Sequence, residues 1–290
     1  MSPTPASTPC PAPTVPANVL SIAGTDPTGG AGIQADLKTF GALGAYGMAV
    51  VTAVVAQNTQ AVRVVSPLAP ELVQAQLEAV FEDVAVAAVK IGMVANAGIA
   101  EAIAEVLARH RPPFVVFDPV MAASTHKRLM NESDLERIRT VLLPQVSLLT
   151  PNLKEAARLL GIAQPVDEAG MRACLPELQA LGVPNVLLKG GHLADDAPDA
   201  PESTDLLATP EGVIRLSAPR IATRHGHGTG CTLSSAIAAL WPRHGLEKAA
   251  RMAKDYVHGA LLHADALRVG HGRGPLHHFW QAVHLPGQLA

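Results

Sequence analysis

Hydrophobic and polar positions from residue 18 onward follow two alternating patterns, short apolar runs and longer stretches with helical spacing. The short runs predict strands at residues 18–24, 48–57, 86–91, 114–118, 146–150 and 185–189. The longer stretches predict helices at residues 30–43, 71–82, 98–109, 133–143, 152–160, 167–181, 229–241 and 246–267. This alternation predicts a mostly parallel sheet with helices on both faces.

Two stretches refine this picture. The run at residues 48–57 is continuously apolar, which is typical of a strand buried on both faces of a parallel sheet. Later, residues 205–209 and 213–216 flank the turn signal Pro210-Glu211-Gly212, which predicts an antiparallel hairpin at the edge of the sheet.

Residues 1–17 are rich in Pro, Thr, Ser and Ala, so we expect a disordered tail there and a single domain over residues 18–290.

Composition narrows the class of protein. Of the 290 residues, 48% are hydrophobic and 16% are charged, with a formal net charge of -3. This balance gives no basic surface for nucleic acid, and no apolar run is long enough to span a membrane. The three cysteines, Cys10, Cys174 and Cys231, are too scattered for a disulfide framework. We therefore expect a cytoplasmic metabolic enzyme.

The first glycine-rich segment, Gly24-Thr25-Asp26-Pro27-Thr28-Gly29-Gly30-Ala31-Gly32, follows the first predicted strand. Ligands of parallel sheets bind at the carboxyl ends of strands, and the helix start is expected to offer free N–H groups. Its second half matches a dinucleotide fingerprint, but the second strand ends in Gln57-Asn58 without the acidic residue that would bind ribose. The sequence thus argues against NAD, and a purely structural turn is the alternative.

The second segment, Gly228-Thr229-Gly230-Cys231, precedes a helical run. Consecutive small residues at a helix N-terminus expose backbone N–H groups, backed by the positive end of the helix dipole. Such a nest could stabilise charge on a transferring phosphoryl group. Cys231 would lie in the first helical turn, where a thiol pKa is lowered, and could accept a proton from a substrate hydroxyl. A purely structural helix start is again the alternative.

Other strand ends carry polar side chains. Asn152 and Glu155 lie one helical turn apart and suit a hydrated Mg²⁺, although Asn152 could equally be a helix cap. Asp118 ends one strand and adds a carboxylate. Lys189 ends another and could neutralise phosphate. The convergence of these groups predicts a site for phosphoryl transfer.

Several segments together resemble the hydroxymethylpyrimidine/phosphomethylpyrimidine kinases of thiamine biosynthesis, in the ribokinase-like superfamily. They are residues 21–39, Lys90-Ile91-Gly92-Met93, Asp118-Pro119-Val120-Met121, Thr150-Pro151-Asn152, Lys189-Gly190-Gly191, Gly228-Thr229-Gly230-Cys231 and residues 272–279. The resemblance implies a three-layer α/β/α fold and two ATP-dependent phosphorylations of 4-amino-5-hydroxymethyl-2-methylpyrimidine. It also implies Mg²⁺, leaves open a monovalent cation, and suggests a homodimer.

The resemblance also implies residue roles. Gln57 would hydrogen-bond the pyrimidine, since an amide can pair with a ring nitrogen and an exocyclic amine. The residues implied to line or support that pocket are Gly24, Asp36, Met93 and Val120. Ordinary core is the alternative for Met93 and Val120, and a solvated helix face for Asp36. Cys231 would be the base beside Gly228, Thr229 and Gly230, with Asn152 and Glu155 at Mg²⁺ and Lys189 and Asp118 at the ATP phosphates.

The chain departs from this family's pattern in three places. His225-Gly226-His227 stands where the family reads Asn-Thr-His, which concerns local hydrogen bonding before Gly228. Ser124-Thr125-His126-Lys127 replaces a Ser-Gly-Asp-like turn, which concerns the second phosphorylation, and the Pro-rich tail at residues 1–17 is additional. A pyridoxal or pyridoxine kinase, alone or as a dual activity, is the alternative function. A catalytically silent ligand-binding protein is a further alternative, against which the presence of the expected catalytic residues argues.

Overall fold

The apolar runs of the sequence pair into one eight-stranded sheet in a computed structural model, which describes residues 15–121, 132–191, 193 and 201–281. The strands are β1 (Asn18–Ala23), β2 (Tyr46–Val51), β3 (Ala53–Gln57), β4 (Val62–Pro67), β5 (Ala88–Ile91), β6 (Val115–Phe117), β7 (Leu148–Leu149), β8 (Asn185–Lys189), β9 (Glu202–Thr209) and β10 (Gly212–Pro219). Their order in the main sheet is β10-β9-β8-β7-β6-β5-β1-β2. All neighbours are parallel except β8–β9 and β9–β10, which confirms the predicted edge hairpin.

Helices cover both faces of this sheet. They are α1 (Gly32–Ala42), α2 (Pro70–Phe81), α3 (Ala97–His110), α4 (Glu132–Arg137), α5 (Leu153–Leu160), α6 (Glu168–Gln179), α7 (Thr229–His244) and α8 (Leu246–Leu262). One core packs α2 to α6 against the sheet, and the other packs α1, α7 and α8 against the opposite face. The predicted three-layer α/β/α architecture is therefore confirmed. None of the described helices is long and apolar enough to cross a membrane.

The prediction of one buried strand at residues 48–57 is wrong. The run is split at Thr52 into β2, which is the edge strand of the main sheet, and β3, which forms a separate antiparallel hairpin with β4. Thr52 is itself buried, and its hydroxyl donates to the Met93 carbonyl. The break at Thr52 is therefore not marked by an exposed residue, and the hydrophobic pattern did not reveal it. Gln57 therefore lies on a two-stranded flap and not in the main sheet.

The predicted helix at residues 133–143 is also modified. Regular helix ends at Arg137, and a wider turn at Ile138–Leu142 and a tight turn at Leu143–Gln145 follow. The tight turn includes Pro144, which cannot continue a helix because it lacks an N–H group. The predicted tail lies outside the described residues up to residue 14, as does the loop at residues 124–127.

The sheet order brings the carboxyl ends of several strands together at one crevice. The chain starts at β1, adds β2 on one side and then continues from β5 to β8 on the other side. Such a switch in strand order opens a crevice at the carboxyl ends of the strands. The loops after β1, β5, β6, β7 and β8 all meet there.

Candidate active site

Two adjoining cavities lie in this crevice. The first, which we call the Gln57 cavity, has a volume of about 390 Å³. Every site residue expected from the sequence except Asp36 lines it, namely Gly24, Gln57, Met93, Asp118, Val120, Asn152, Glu155, Lys189, Gly228, Thr229, Gly230 and Cys231. Met93 and Val120 line this cavity and are not among the described residues of either hydrophobic core.

The second cavity, which we call the Lys254 cavity, has a volume of about 280 Å³ and lies between the β9–β10 hairpin side and α8. It shares Asn152, Lys189, Gly226, Thr229, Gly230 and Arg273 with the Gln57 cavity. The N-terminus of α7 thus stands at the junction of the two cavities.

The start of α7 presents unpaired donors at this junction. Gly228 precedes the helix with φ 85°, a conformation that favours glycine, and a Cβ there would lie 1.8 Å from the Gly30 carbonyl oxygen. The first N–H groups of a helix have no intrahelical acceptor. Among the described residues, the N–H groups of Gly230 and Cys231 have no other acceptor either. The expected anion-binding nest is therefore present in geometry.

Cys231 lies half-buried at the same helix start, but the expectation of a lowered thiol pKa is wrong. Burial raises the pKa of Cys231 to about 11, while the nearby Lys90 ammonium opposes that rise. The carboxylates of Asp118 and Asp36 raise it further. Desolvation outweighs the attraction of the Lys90 ammonium here because the thiolate would be removed from water. In the free protein Cys231 is therefore a thiol.

The first glycine-rich segment does not offer the free N–H groups expected of it. The Asp26 carboxylate accepts hydrogen bonds from the backbone N–H groups of Gly30 and Ala31, at 3.1 and 2.9 Å. It also pairs with His227 Nε2 at 2.8 Å. Although burial alone would raise it, hydrogen bonds from His227 and Thr28 hold the pKa of Asp26 well below its usual range. This segment binds its own carboxylate and thereby holds the loop before α7.

One ammonium group and two carboxyl groups meet beside the free N–H groups of α7. Lys189 Nζ lies 2.7 Å from Asp118 Oδ1 and 4.0 Å from Glu155 Oε2. Although burial opposes it, the carboxylates of Asp118 and Glu155 raise the pKa of Lys189. Burial raises the pKa of Glu155 to about 7, against the effect of Lys189. Glu155 is therefore poised to ionise when further positive charge enters the site.

Asn152 has the role of a helix cap. Its Oδ1 accepts from the Glu155 N–H at 2.9 Å, and Glu155 Oε2 accepts from the Asn152 N–H at 2.7 Å. This reciprocal capping box fixes both side chains at the start of α5. Their remaining oxygen lone pairs, with Asp118 nearby, form a donor set of the kind that Mg²⁺ prefers, few carboxylates with room for water and phosphate. The described residues contain no group of three or more His, Cys, Asp or Glu able to cage a metal ion.

Asp36 is fully buried, so the alternative of a solvated helix face is wrong. Its oxygens bond Lys90 Nζ at 2.8 and 2.9 Å, together with the hydroxyls of Ser21 and Ser235. Lys90, which lines the Gln57 cavity, is thereby held fully buried, and Asp36 raises the pKa of Lys90 despite burial. Sequence reasoning gave Lys90 no role, although a lysine inside an apolar strand was the available signal.

The flap carries Gln57 over the cavity. The pairing of β3 with β4 shifts register at Gln57, and the Gln57 amide makes no side-chain hydrogen bond with any described residue. The tip of the flap is tied down, because Thr59 accepts from the N–H groups of Gly272 and Arg273. The C-terminal segment thus fixes the position of the amide that faces the cavity.

The Lys254 cavity holds a second buried ion pair that sequence reasoning missed. Lys254 Nζ lies 2.7 Å from Asp205 Oδ2, and Asp205 Oδ1 accepts from the Gly190 N–H. Nothing in the sequence pattern links a lysine on α8 with an aspartate on β9. Together with Lys189, this pair lines one wall of the cavity with charge.

Comparison with known proteins agrees with this geometry. A family model described as phosphomethylpyrimidine kinase matches residues 26–277. The hydroxymethylpyrimidine/phosphomethylpyrimidine kinase of Escherichia coli (strain K12) is 52% identical over 263 residues, or 90% of this chain and 97% of that protein. A thiamine biosynthesis bifunctional protein of Geobacter sulfurreducens is 44% identical over 266 residues, covering 91% of this chain and 53% of that protein. The ADP complex of Bacillus subtilis pyridoxal kinase is 30% identical, with a TM-score of 0.84 over 93% of this chain and 100% of that one.

Proposed function

The chain belongs to the phosphomethylpyrimidine kinase family, and we propose that it phosphorylates 4-amino-5-hydroxymethyl-2-methylpyrimidine, and then the monophosphate to the diphosphate, with ATP, in thiamine biosynthesis. The observation that carries this proposal is the position of the α7 N-terminus at the junction of two cavities. One cavity has the Gln57 amide for the ring of the acceptor. The other lies next to charged groups suited to a nucleotide.

The acceptor ring binds in the Gln57 cavity. The Gln57 amide donates to a ring nitrogen and accepts from the amino group, while Met93 and Val120 contact the apolar surface of the ring. In this orientation the hydroxymethyl group points towards Cys231 and the N–H groups of α7. ATP binds in the Lys254 cavity, next to its charged side chains. A kinase of similar fold, the pyridoxal kinase of B. subtilis, has been solved as an ADP complex.

Transfer then takes place at the α7 N-terminus. The Gly230 and Cys231 N–H groups stabilise the charge that develops on the transferring phosphoryl group. Cys231 accepts the proton of the substrate hydroxyl in its thiolate form, after its own thiol proton has left to water. Because burial raises the pKa of Cys231 to about 11, the thiolate is a small fraction of the free protein, and proton removal from the hydroxyl accompanies transfer and does not precede it. A loose transition state permits this order, since the attacking hydroxyl needs little activation until late.

We also propose that Mg²⁺ is held by Glu155 and Asn152 through water, with Asp118 beside it. When bound, it would neutralise charge on the phosphates. Asn152→Ala removes an amide oxygen and opens the capping box, so it should raise the Mg²⁺ concentration needed for half-maximal rate. Asp167→Ala removes the matched cap of α6, remote from the cavities, and should not shift the Mg²⁺ titration. An unchanged titration for Asn152→Ala would count against the metal role.

The decisive experiment is a product assay with ATP and Mg²⁺, using the pyrimidine in one reaction and pyridoxal in another. Mass analysis should show pyrimidine monophosphate first and diphosphate later. Monophosphate alone would restrict the function to the first step. No pyrimidine product, with consumption of ATP on pyridoxal, would refute the proposal.

A pyridoxal kinase activity, alone or in addition, is the second candidate. The observation in its favour is the overall likeness to the pyridoxal kinase of B. subtilis, whose identity of 30% is below the 52% of the pyrimidine kinase of E. coli. We further propose that the protein is a cytoplasmic homodimer. Exposed apolar side chains at the flap and on α2, Val54, Val64 and Leu72, offer a surface for a second copy, which light scattering of the purified protein would test.

A further inference from the structure

Arg273 is a charged residue that the proposed mechanism does not use. It lies in the C-terminal segment, and its side chain lines both the Gln57 cavity and the Lys254 cavity. Lys189 is the other cation common to both cavities, and its charge is offset by Asp118 at 2.7 Å. Within the described part of the chain, the Arg273 guanidinium has no hydrogen-bond or ion-pair partner. The junction therefore holds an arginine whose five donors are available to a ligand.

The backbone fixes where this guanidinium can go. The Arg273 N–H donates to the Thr59 carbonyl at 2.9 Å, and the neighbouring Gly274 carbonyl accepts from the His227 N–H at 3.1 Å. The segment is thus attached both to the flap tip and to the loop before α7. The side chain then lies over Gly226, where a Cβ would be only 2.8 Å from Nη2 of Arg273. The absence of a side chain at residue 226 leaves the room that the guanidinium occupies.

The two phosphorylations differ in what they require at this junction. In the first step a neutral hydroxyl faces the γ-phosphate of ATP. In the second step the acceptor is a phosphate monoester with a charge of about -1.5 to -2 at pH 7. One of its oxygens forms a bond to the γ-phosphorus while the bond from that phosphorus to the bridging oxygen of ADP breaks. Two anions must therefore approach each other, so the second step needs additional positive charge between the cavities.

We propose that Arg273 binds the phosphate of the monophosphate acceptor and so favours the second phosphorylation over the first. This inference rests on the proposed function, because it concerns the order of the two steps at the same site. A guanidinium fits this task, since its planar donors bind phosphate in a bidentate manner. In the first step the same group has no acceptor phosphate to bind, so its loss should matter little.

Arg273→Ala tests the inference with purified pyrimidine and pyrimidine monophosphate as separate acceptors. We expect kcat/KM for the monophosphate to fall about 10- to 100-fold, as for loss of hydrogen bonds to a charged group. The value for the hydroxymethylpyrimidine should change less than about threefold, because that acceptor carries no charge. In a time course from the hydroxymethylpyrimidine, the variant should accumulate monophosphate. Arg273→Lys keeps the positive charge but loses the planar set of donors. Its kcat/KM for the monophosphate should therefore lie between the values of wild type and Arg273→Ala.

Arg268→Ala is the matched control, because Arg268 lies in the same segment but lines a separate shallow cavity. It removes the same charge and should leave both steps unchanged. Gly226→Ala keeps the arginine but displaces its guanidinium, and it should also impair the monophosphate step more than the first. Equal losses of kcat/KM for both acceptors in Arg273→Ala, or no loss, would overturn this inference and leave the proposed function in place. A wild-type protein that makes no pyrimidine phosphate would instead overturn the proposed function.

Discussion

The two glycine-rich segments of this chain look alike in sequence and act in opposite ways. Both residues 24–32 and residues 226–231 lead small residues into the first turn of a helix. In the first, Asp26 folds back and accepts from the N–H groups of Gly30 and Ala31. In the second, the N–H groups of Gly230 and Cys231 face a cavity without an acceptor among the described residues. A helix start is thus a ligand site only where the chain does not supply its own anion.

The contrast also shows how the two segments depend on each other. Asp26 reaches His227 in the second segment, and Gly228 packs directly on the Gly30 carbonyl of the first. Residues 24–32, which we call the closed loop, therefore support residues 226–231, which we call the open loop. Changes in the open loop should affect catalysis directly, while changes in the closed loop should first affect stability.

Removal of the proposed base should give the largest effect. Cys231→Ala is expected to lower kcat about 100- to 10,000-fold, the usual range for loss of a general base. The KM for the pyrimidine should change little, because the proposed contact of the ring is with Gln57 and not with the thiol. Cys174→Ala, a buried cysteine of α6 far from the cavities, is the control and should keep kcat. A Cys231→Ala rate within a few-fold of wild type would exclude the thiol from the mechanism.

A clash between the two segments should give the next largest effect on kcat. In Gly228→Ala the new methyl would lie 1.8 Å from the Gly30 oxygen at a φ of 85°, so the start of α7 must shift. Misplaced donors should lower kcat about 100- to 1,000-fold. Gly41→Ala serves as control, because a Cβ there meets no atom within 4 Å. It should keep kcat and stabilise α1 by about 0.5–1 kcal/mol. Equal rates for both variants would show that the placement of these donors does not matter.

Weakening the Asp26 contacts within the first segment should have the smallest effect on kcat. Asp26→Asn loses the charge that binds His227 and two N–H groups, which should lower the free energy of unfolding by about 3 kcal/mol at pH 7. The measurement is chemical denaturation across a pH series. Since the pKa of Asp26 is lowered in the folded state, its stabilisation is present above about pH 4 and is lost as the pH falls. The gap between wild type and variant should therefore narrow in acid, and a gap independent of pH would contradict this role.

Much of the fold followed from the hydrophobic pattern, because strand and helix periodicity is local. The break at Thr52 escaped it, since a buried threonine in an apolar run gives no local sign of a change of sheet. The site residues at the strand ends were placed together because parallel strands share one edge. Their electrostatics were not predictable in the same way. The pKa of Cys231 depends on burial, and on a Lys90–Asp36 pair separated by 54 residues in the chain.

The ties between the flap, the first loop and the C-terminal segment also determine when the site can form. The Asp26–His227 bond joins residues 201 apart, and the Thr59–Gly272 bond joins residues 213 apart. At about 5–20 residues per second, a ribosome needs on the order of tens of seconds to make that intervening chain. Strands β1 to β8 are synthesised before the partners of the first loop and the flap exist. The nascent enzyme therefore acquires its catalytic centre only after residue 272 has been made, long after most of its sheet.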